Sequence, residues 1–535
     1  MKDNKSKNNY KYQSRNVNQF VDTDNPNVEE LSKSGKMNSY QKDASNTKRR
    51  FKLNEWRWYA PSELMLRQAG SISYFNPLGA PMQLHVGVAG LANSYNDIPF
   101  SYRQAGILAV DYLATIGSST GASDAPNVAA QLVYTYVRHL NSGSKNYESS
   151  DLMMYLLAMD DIYSHITQLG KLLNIAKNYK MINRYSPEAI YAAYGIDFQD
   201  AISNAANYYF DLNVLISNLR YFSVPAIFPL YKRHMWLVAN IFKDGPDDKA
   251  GQILFVNRIM RKFSPKTSTT GGELVAQQIL PPLNARTAST PIKLSDYIKA
   301  IREAIAILLA DEDSGTISGD IRKAYGEDKL FTISEYQATD YVDPAFSNEA
   351  LACLQNLICP LPNLGGTTLY ENILSWANIQ QVDNTVITTW DANLNAFLQA
   401  NPGAIVTDCI LNSYMRDPDP QENMISTRMT SLARREGTNY VFTYGTEIPL
   451  SLGIITLNSN GAPYIYTTMS NAQSSASSGL NQYDYAITLF DRHPTVYIIN
   501  ETGKSVYVVG DLENATVLPY TTAQKLHTCA TLGEF

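Results

Sequence analysis

Several short constellations in this 535-residue chain carry residue types that can do chemistry. Gly117-Ser118-Ser119-Thr120-Gly121 fits G-x-S-x-G, the turn that presents a nucleophilic serine in hydrolases. That turn needs a buried strand before it, a helix directly after it, and an acid and a histidine further along. Here small residues run on through Ala122 and Ser123 to Asp124, and residues 103–116 suit a helix at least as well as a strand. A loop of small residues is therefore the expected role of Ser119. Gly503-Lys504-Ser505 looks like the end of a phosphate-binding loop, but Ile498 stands where the motif requires its first glycine, which leaves a hairpin turn. Asp160-Asp161 sets two carboxylates about 100° apart on a helix without a third ligand, and a solvated helix edge is expected. His139 and His234 each follow an arginine late on a helix and read as caps or satisfied buried contacts. His527 and Cys529 stand close together without further ligands. No catalytic residue, metal or cofactor is expected.

The stronger chemical signal is electrostatic. Residues 1–52 hold 12 Lys+Arg and 6 Asp+Glu, net +6, whereas the chain as a whole is at −6 and positions 53–535 are at −12. Lys2, Lys5, Lys7, Lys11 and Arg15 interleave with Tyr10 and Tyr12, and Lys48, Arg49, Arg50 and Lys52 form a second cluster. Such a segment can neutralise phosphates and stack on exposed bases without reading sequence. A solubilising or assembly tail is the bland alternative. The second cluster stops against Trp56, Trp58 and Tyr59, whose large apolar surface seeks burial.

The elements around these residues divide the chain. Residues 1–53 lack apolar periodicity and read as a disordered arm. Residues 54–261 read as a helical domain. Helices are expected from Pro61 onwards, over Pro126–Asn141 with Ala129, Leu132, Val133, Tyr136 and Leu140 on its apolar face, over Ser150–Lys177 as a central buried helix, and over 198–221 and 231–243. Residues 262–290 gather Ser, Thr, Gly and Pro and mark a junction or surface excursion, so 262–437 is a second region, with one clear helix at Ser295–Ala310. Beyond Thr438 the pattern is that of strands, with hairpins at 453–468 and 495–509 and an exposed Ser-rich loop at 471–482 between them. The fold class is mainly α with a smaller antiparallel β component.

Composition narrows the class further. Thirty-six tyrosines favour hydroxyl-bearing contact surfaces between proteins. Four cysteines in a chain of this length make no disulfide framework, and no apolar run approaches the roughly 18 residues of a spanning helix. A soluble protein made in the cytosol is expected.

The stretches YVRHLNSG (136–143), NYESSDLMMYLLAMDDIYS (146–164), INRYSPEAI (182–190), YGIDFQD (194–200) and KRHMWLVANIFKD (232–244), in that order, resemble picobirnavirus capsid proteins, as do WRWYAPSELMLRQA and FNPLGAP before them. The resemblance covers roughly residues 54–245. It implies a coat subunit that dimerises and assembles into an icosahedral shell around double-stranded RNA, with a helical shell domain (54–261), a protruding domain (262–437), and a basic arm (1–53) facing the interior. The β-rich region 438–535 would belong to the protrusion or return to the shell. Implied partners are further copies of the chain, genomic RNA, a packaged viral polymerase and a host attachment factor, and the implied location is the virion, assembled in the host cytoplasm. A monomeric RNA-binding module and a serine hydrolase using Ser119 are the rival readings.

Overall fold

The computed structural model describes residues 63–71, 81–83, 101–103, 106–141, 147–178, 186–246, 250–265, 271–283, 291–360, 373–400, 408–415, 417–457, 463–468, 473–475, 487, 490–499, 506–509 and 513–535. Residues 1–75 and 76–535 form separate units, and in the first only helix α1 (Glu63–Ser71) is described. Among the described residues the second unit includes helices α2 (Ala125–Leu140), α3 (Ser149–Asn178), α4 (Ser186–Tyr194), α5 (Phe198–Ser203), α6 (Ala205–Asn218), α7 (Pro229–Ala239), α8 (Leu294–Ala310), α9 (Glu312–Tyr325), α10 (Asn348–Gln355), α11 (Thr389–Ala400), α12 (Pro420–Ser426) and α13 (Tyr520–Gly533). Helix dominates and the smaller β component is chiefly antiparallel, as expected.

Helix α3 lies at the centre. Every residue from Leu152 to Ile175 is buried, so this helix is enclosed on all sides and has no solvated face. The expected apolar face is present, but the polar positions opposite it are also inside, which overturns the solvated-edge reading of Asp160-Asp161. Several of these polar groups have well-placed partners: Asp161 pairs with Arg261 at 3.2 Å, His165 Nδ1 bonds to the Tyr297 hydroxyl at 3.0 Å, and Gln168 bridges both backbone polar groups of Asn257. A buried polar group without such a partner costs about 1–3 kcal/mol, which explains why an α-helix can carry charge through a core only where neighbours are placed to meet it. Gly170 faces the Tyr336 ring so closely that a Cβ would stand 2.2 Å from it.

Two expected helices differ in their bounds, and one stretch read as a turn forms a helix, each for a local reason. The segment 198–221 breaks at Asn204, which ends α5 and begins α6, after Asp197 has capped α5 by accepting from the Gln199 and Asp200 amides. Helix α7 starts earlier than expected, at Pro229 in a first-turn position, and stops at Ala239, leaving Phe242–Lys243 to a strand. In the turn-rich MRDPDPQEN, Asp419 and Glu422 form a reciprocal capping box and start α12.

One six-stranded sheet joins distant parts of the chain. Its order is Pro463–Thr468, Glu447–Leu457, Ile107–Ala114, Gln252–Asn257, Phe242–Lys243 and Ala345–Phe346. Strand Ile107–Ala114 runs parallel to Gln252–Asn257 and antiparallel to Glu447–Leu457, with Leu452 opposite Val110 and a bulge between Pro449 and Ser451. All eight residues of this strand are buried, so no inside-outside alternation marks it, and its apolar run looked equally helical in sequence. Segment 262–290 also holds regular structure: Ile259–Ser264 and Glu273–Gln278 form a hairpin that pairs onward to Ile379–Val382 and Thr385–Thr388. Both expected C-terminal hairpins are present, as Glu447–Leu457 with Pro463–Thr468 and as Val496–Ile499 with Val506–Val509. Within the Ser-rich stretch between them, Gln473–Ser475 adds a short parallel strand to Val496–Ile499.

The largest core cluster runs through α2, α3, α4, α6, α8 and α9 and takes in Met260, Leu274, Ile379 and Ile455. Residues on both sides of position 261 therefore share one hydrophobic interior, and the strand Ile259–Ser264 crosses that position.

Candidate functional site

The G-x-S-x-G loop leaves the buried strand Ile107–Ala114, turns at Gly117 with φ of +83°, and enters α2 at Ala125. This is the strand-turn-helix order that the motif requires, yet the serine is in the wrong place. Ser119 is fully buried; its hydroxyl donates to the Val386 carbonyl at 2.6 Å and accepts from Asn127 Nδ2 at 3.0 Å. Its amide and carbonyl are both bonded to Thr388. The proton is committed to a carbonyl rather than a base, so Ser119 ties the loop to strand Thr385–Thr388. Beside it, Asp391 accepts from Ser118, Thr388 and Tyr444 at 2.9, 3.2 and 3.1 Å, and burial pushes its carboxyl up to about 6. Neutral hydroxyls surround that acid, so the cluster is a structural knot.

The densest charge lies where α3, α7, strand Glu447–Leu457 and the chain's C-terminus meet. His234, late on α7 in the sequence reading, sits fully buried with Nδ1 2.5 Å from Asp160 of α3 and Nε2 3.5 Å from Glu447. Its neighbour Arg233 reaches Glu447 at 2.6 Å and Glu349 of α10 at 3.5 Å. Arg428 contacts Glu534 at 2.6 Å and the Thr446 hydroxyl at 2.9 Å, so the last residues are held inside. Burial opposes the charge on His234, but the Asp160 and Glu447 carboxylates outweigh it and raise the imidazole to about 10. Burial likewise opposes the charge on Glu447, and Arg233, His234 and Arg428 hold it well below the usual carboxylate range. Arg233, His234 and Arg428 thus face Asp160, Glu447 and Glu534 in a closed space that ties distant segments of the chain together. His527 is similarly enclosed, bonded to the Thr443 hydroxyl at 2.7 Å and to the Thr430 hydroxyl and Thr427 carbonyl.

A structural scaffold without an open reactive centre among these groups matches a known family. The profile of the picobirnavirus capsid protein matches residues 58–444, most of the chain. The chain belongs to the picobirnavirus capsid protein family. A capsid protein precursor of Human picobirnavirus is 33% identical to it over 299 residues, 56% of this chain and 53% of that protein, so the matched stretch spans about half the relative's length. A crystallographic structure of the picobirnavirus capsid shares the fold, with a TM-score of 0.73 at 23% identity, covering 90% of this chain and 98% of that one.

In this picobirnavirus capsid family member the residues singled out as nucleic-acid-binding, Lys2, Lys5, Lys7, Lys11, Arg15, Lys48, Arg49, Arg50 and Lys52, lie outside the described residues, as do Trp56, Trp58 and Tyr59. The outward surface of the described part carries a different feature. Helix α2 turns Ala129, Ala130, Val133, Tyr134 and Val137 into the core, and leaves Val128, Leu132, Tyr136 and Leu140 exposed. Of the expected face only Ala129 and Val133 are inside, whereas Leu132, Tyr136 and Leu140 are exposed. The helix is apolar on two faces, and periodicity alone does not say which one the core takes. A legible signal was the near absence of charge, since Arg138 is its only Lys, Arg, Asp or Glu.

Proposed function

We propose that this chain is a structural coat subunit whose copies dimerise and assemble into a closed icosahedral shell around double-stranded RNA. Membership of the capsid family across residues 58–444 carries this reading. Its physical basis is additive: symmetry repeats one modest interface many times, so contacts that are weak singly hold a stable container. The role is mechanical and has no catalytic residue.

The N-terminal segment supplies the RNA contact in this proposal. Its net +6 neutralises only part of the duplex charge, which even in DNA is about one per 1.7 Å, and the net −12 of positions 53–535 keeps RNA from adhering to the walls. A genome held loosely in this way stays accessible to a packaged polymerase. The proposed layout keeps 1–53 as the inward arm, 54–261 as the shell, 262–437 as the source of the outward protrusion that meets a host attachment factor, and 438–535 as a region that returns to the shell. Pairing of Glu447–Leu457 with Ile107–Ala114 supports that return, while the shared core across position 261 means that 262–437 contributes inner helices as well as outer surface. Assembly is placed in the host cytoplasm and the mature location in the virion.

Electron microscopy and light scattering of the purified chain test the reading: closed particles are expected, and a stable monomer that binds RNA tightly would replace it with the RNA-module alternative. Deleting residues 2–52 should lower co-purifying nucleic acid while shells still form. Unchanged RNA content would remove the arm from the mechanism.

A further inference from the structure

The exposed face of α2 has a shape and chemistry that select one occupant. Val128, Leu132, Tyr136 and Leu140 are 38, 63, 46 and 43% exposed, and their spacing of four makes them a single ridge along the helix. Together they present roughly 400 Å² of mostly apolar side chain, the size of the patches that mark interaction sites on single proteins. The flanking Gln131 and Thr135 are neutral, and the only formal cation on α2, Arg138, is turned to Asp320 at 3.5 Å. Tyr136 already rests against the Tyr325 ring, centroids 5.0 Å apart, so little freedom is lost when it is covered.

We propose that this ridge is an isologous interface, where α2 of one subunit crosses α2 of a second copy about a two-fold axis near Leu132 and Tyr136. The proposal rests on the coat-subunit reading above. Three features favour a second copy as occupant. A ridge without a fixed charge of its own meets its copy without like-charge repulsion, whereas a nucleic acid or an anionic lipid surface requires cations that the four ridge residues do not supply. Ridges of spacing four on two identical helices interdigitate at a crossing of about 50°, the commonest helix-packing geometry. A patch of roughly 400 Å² also forms about half of the 800 Å² per partner of a standard interface, which leaves a polar rim for the rest.

Two measurements on the full chain test this. The Leu132→Asp/Tyr136→Asp protein gives up only the Tyr136–Tyr325 ring contact within the chain, so it should still melt cooperatively, and it should lose its dimers and particles, with association weakened at least about tenfold in light scattering. In a Cys529→Ser background, which removes the one exposed cysteine, Leu132→Cys should cross-link under mild oxidation into a species of twice the mass. Assembly of the double variant within about twofold of the wild type, cross-linking only within one chain, or no cross-link in intact particles would overturn the interface and leave the coat reading standing. A wild-type chain that stays monomeric at all concentrations would overturn the coat reading and this inference with it. If the aspartate variant fails to fold, the cross-link result alone decides between these outcomes.

Discussion

His234 shows how much one buried side chain can carry. Its imidazolium stands between Asp160 and Glu447, and its raised pKa of about 10 has a defined consequence for stability. A group that binds its proton more tightly when folded stabilises the fold fully below its unfolded pKa near 6.5, and that contribution is lost as pH rises towards 10. Thermal unfolding followed from pH 6.5 to 10 should therefore show a falling melting temperature. The His234→Gln protein should start about 3–5 kcal/mol less stable, because two carboxylates remain with one cation fewer, and should lose most of that slope. Gly170→Ala tests close packing instead. The added methyl meets the Tyr336 ring, so a loss of about 1–3 kcal/mol is expected, and Tyr336→Ser in the same chain should recover part of it. Ser119→Ala should cost about 1–2 kcal/mol in denaturant unfolding, since it leaves the Asn127 amide with one partner fewer, and an esterase assay of the wild type should give no signal for it to abolish. Of these three roles only the loop at Ser119 was readable beforehand. A histidine or a glycine looks the same in sequence whether its surroundings are solvent, a carboxylate or a ring.

At the scale of elements, the decisive question is which neighbour each face meets. Helix α3 could be located from its spacing to within one residue at either end, because a 30-residue apolar repeat has no competing interpretation. Helix α2 could be located as well, but its orientation could not, since both of its faces are rich in apolar residues. Strand Ile107–Ala114 was ambiguous for the opposite reason: burial on both sides erases alternation. Helix α13 depends on an end contact. The Glu534 carboxylate pairs with Arg428, and the Phe535 ring lies 5.8 Å from Phe228 at the start of α7. Removing Glu534 and Phe535 should leave Arg428 buried without its acidic partner and lower stability by about 3 kcal/mol, measured by denaturant unfolding, while Glu534→Gln should cost less because a hydrogen bond survives.

At the scale of the molecule, the sheet that pairs residues 107–114 with 447–455 makes the two ends of residues 76–535 interdependent. A fragment ending at residue 437 lacks the strand that covers Ile107–Ala114 and would present that buried strand as an open edge. Fragments 54–261 and 54–437 are therefore expected to be insoluble when expressed alone, and recovery of a soluble, cooperatively melting 54–261 would show that the shell region folds without the returning strand. The charge asymmetry acts at this scale too. If the arm retains RNA through counterion release, RNA retention by intact protein should fall steeply with salt, and deletion of 2–52 should flatten that dependence.

Composition and local spacing determined what depends on neighbours in the chain: the basic segment, the positions of α2, α3 and α8, the two C-terminal hairpins, and a family resemblance centred on residues 136–244. These properties follow from charge count, helical period and turn residues, each of which is written within a short window. The tertiary structure decided what depends on residues far apart: that Asp160, His234, Glu447 and Glu534 share one closed space, that Ser119 is a tie rather than a nucleophile, and that the Leu132–Leu140 ridge faces outward. A charge is stabilised, a hydroxyl engaged or an apolar face covered only by what folding brings beside it, and no local window contains that information.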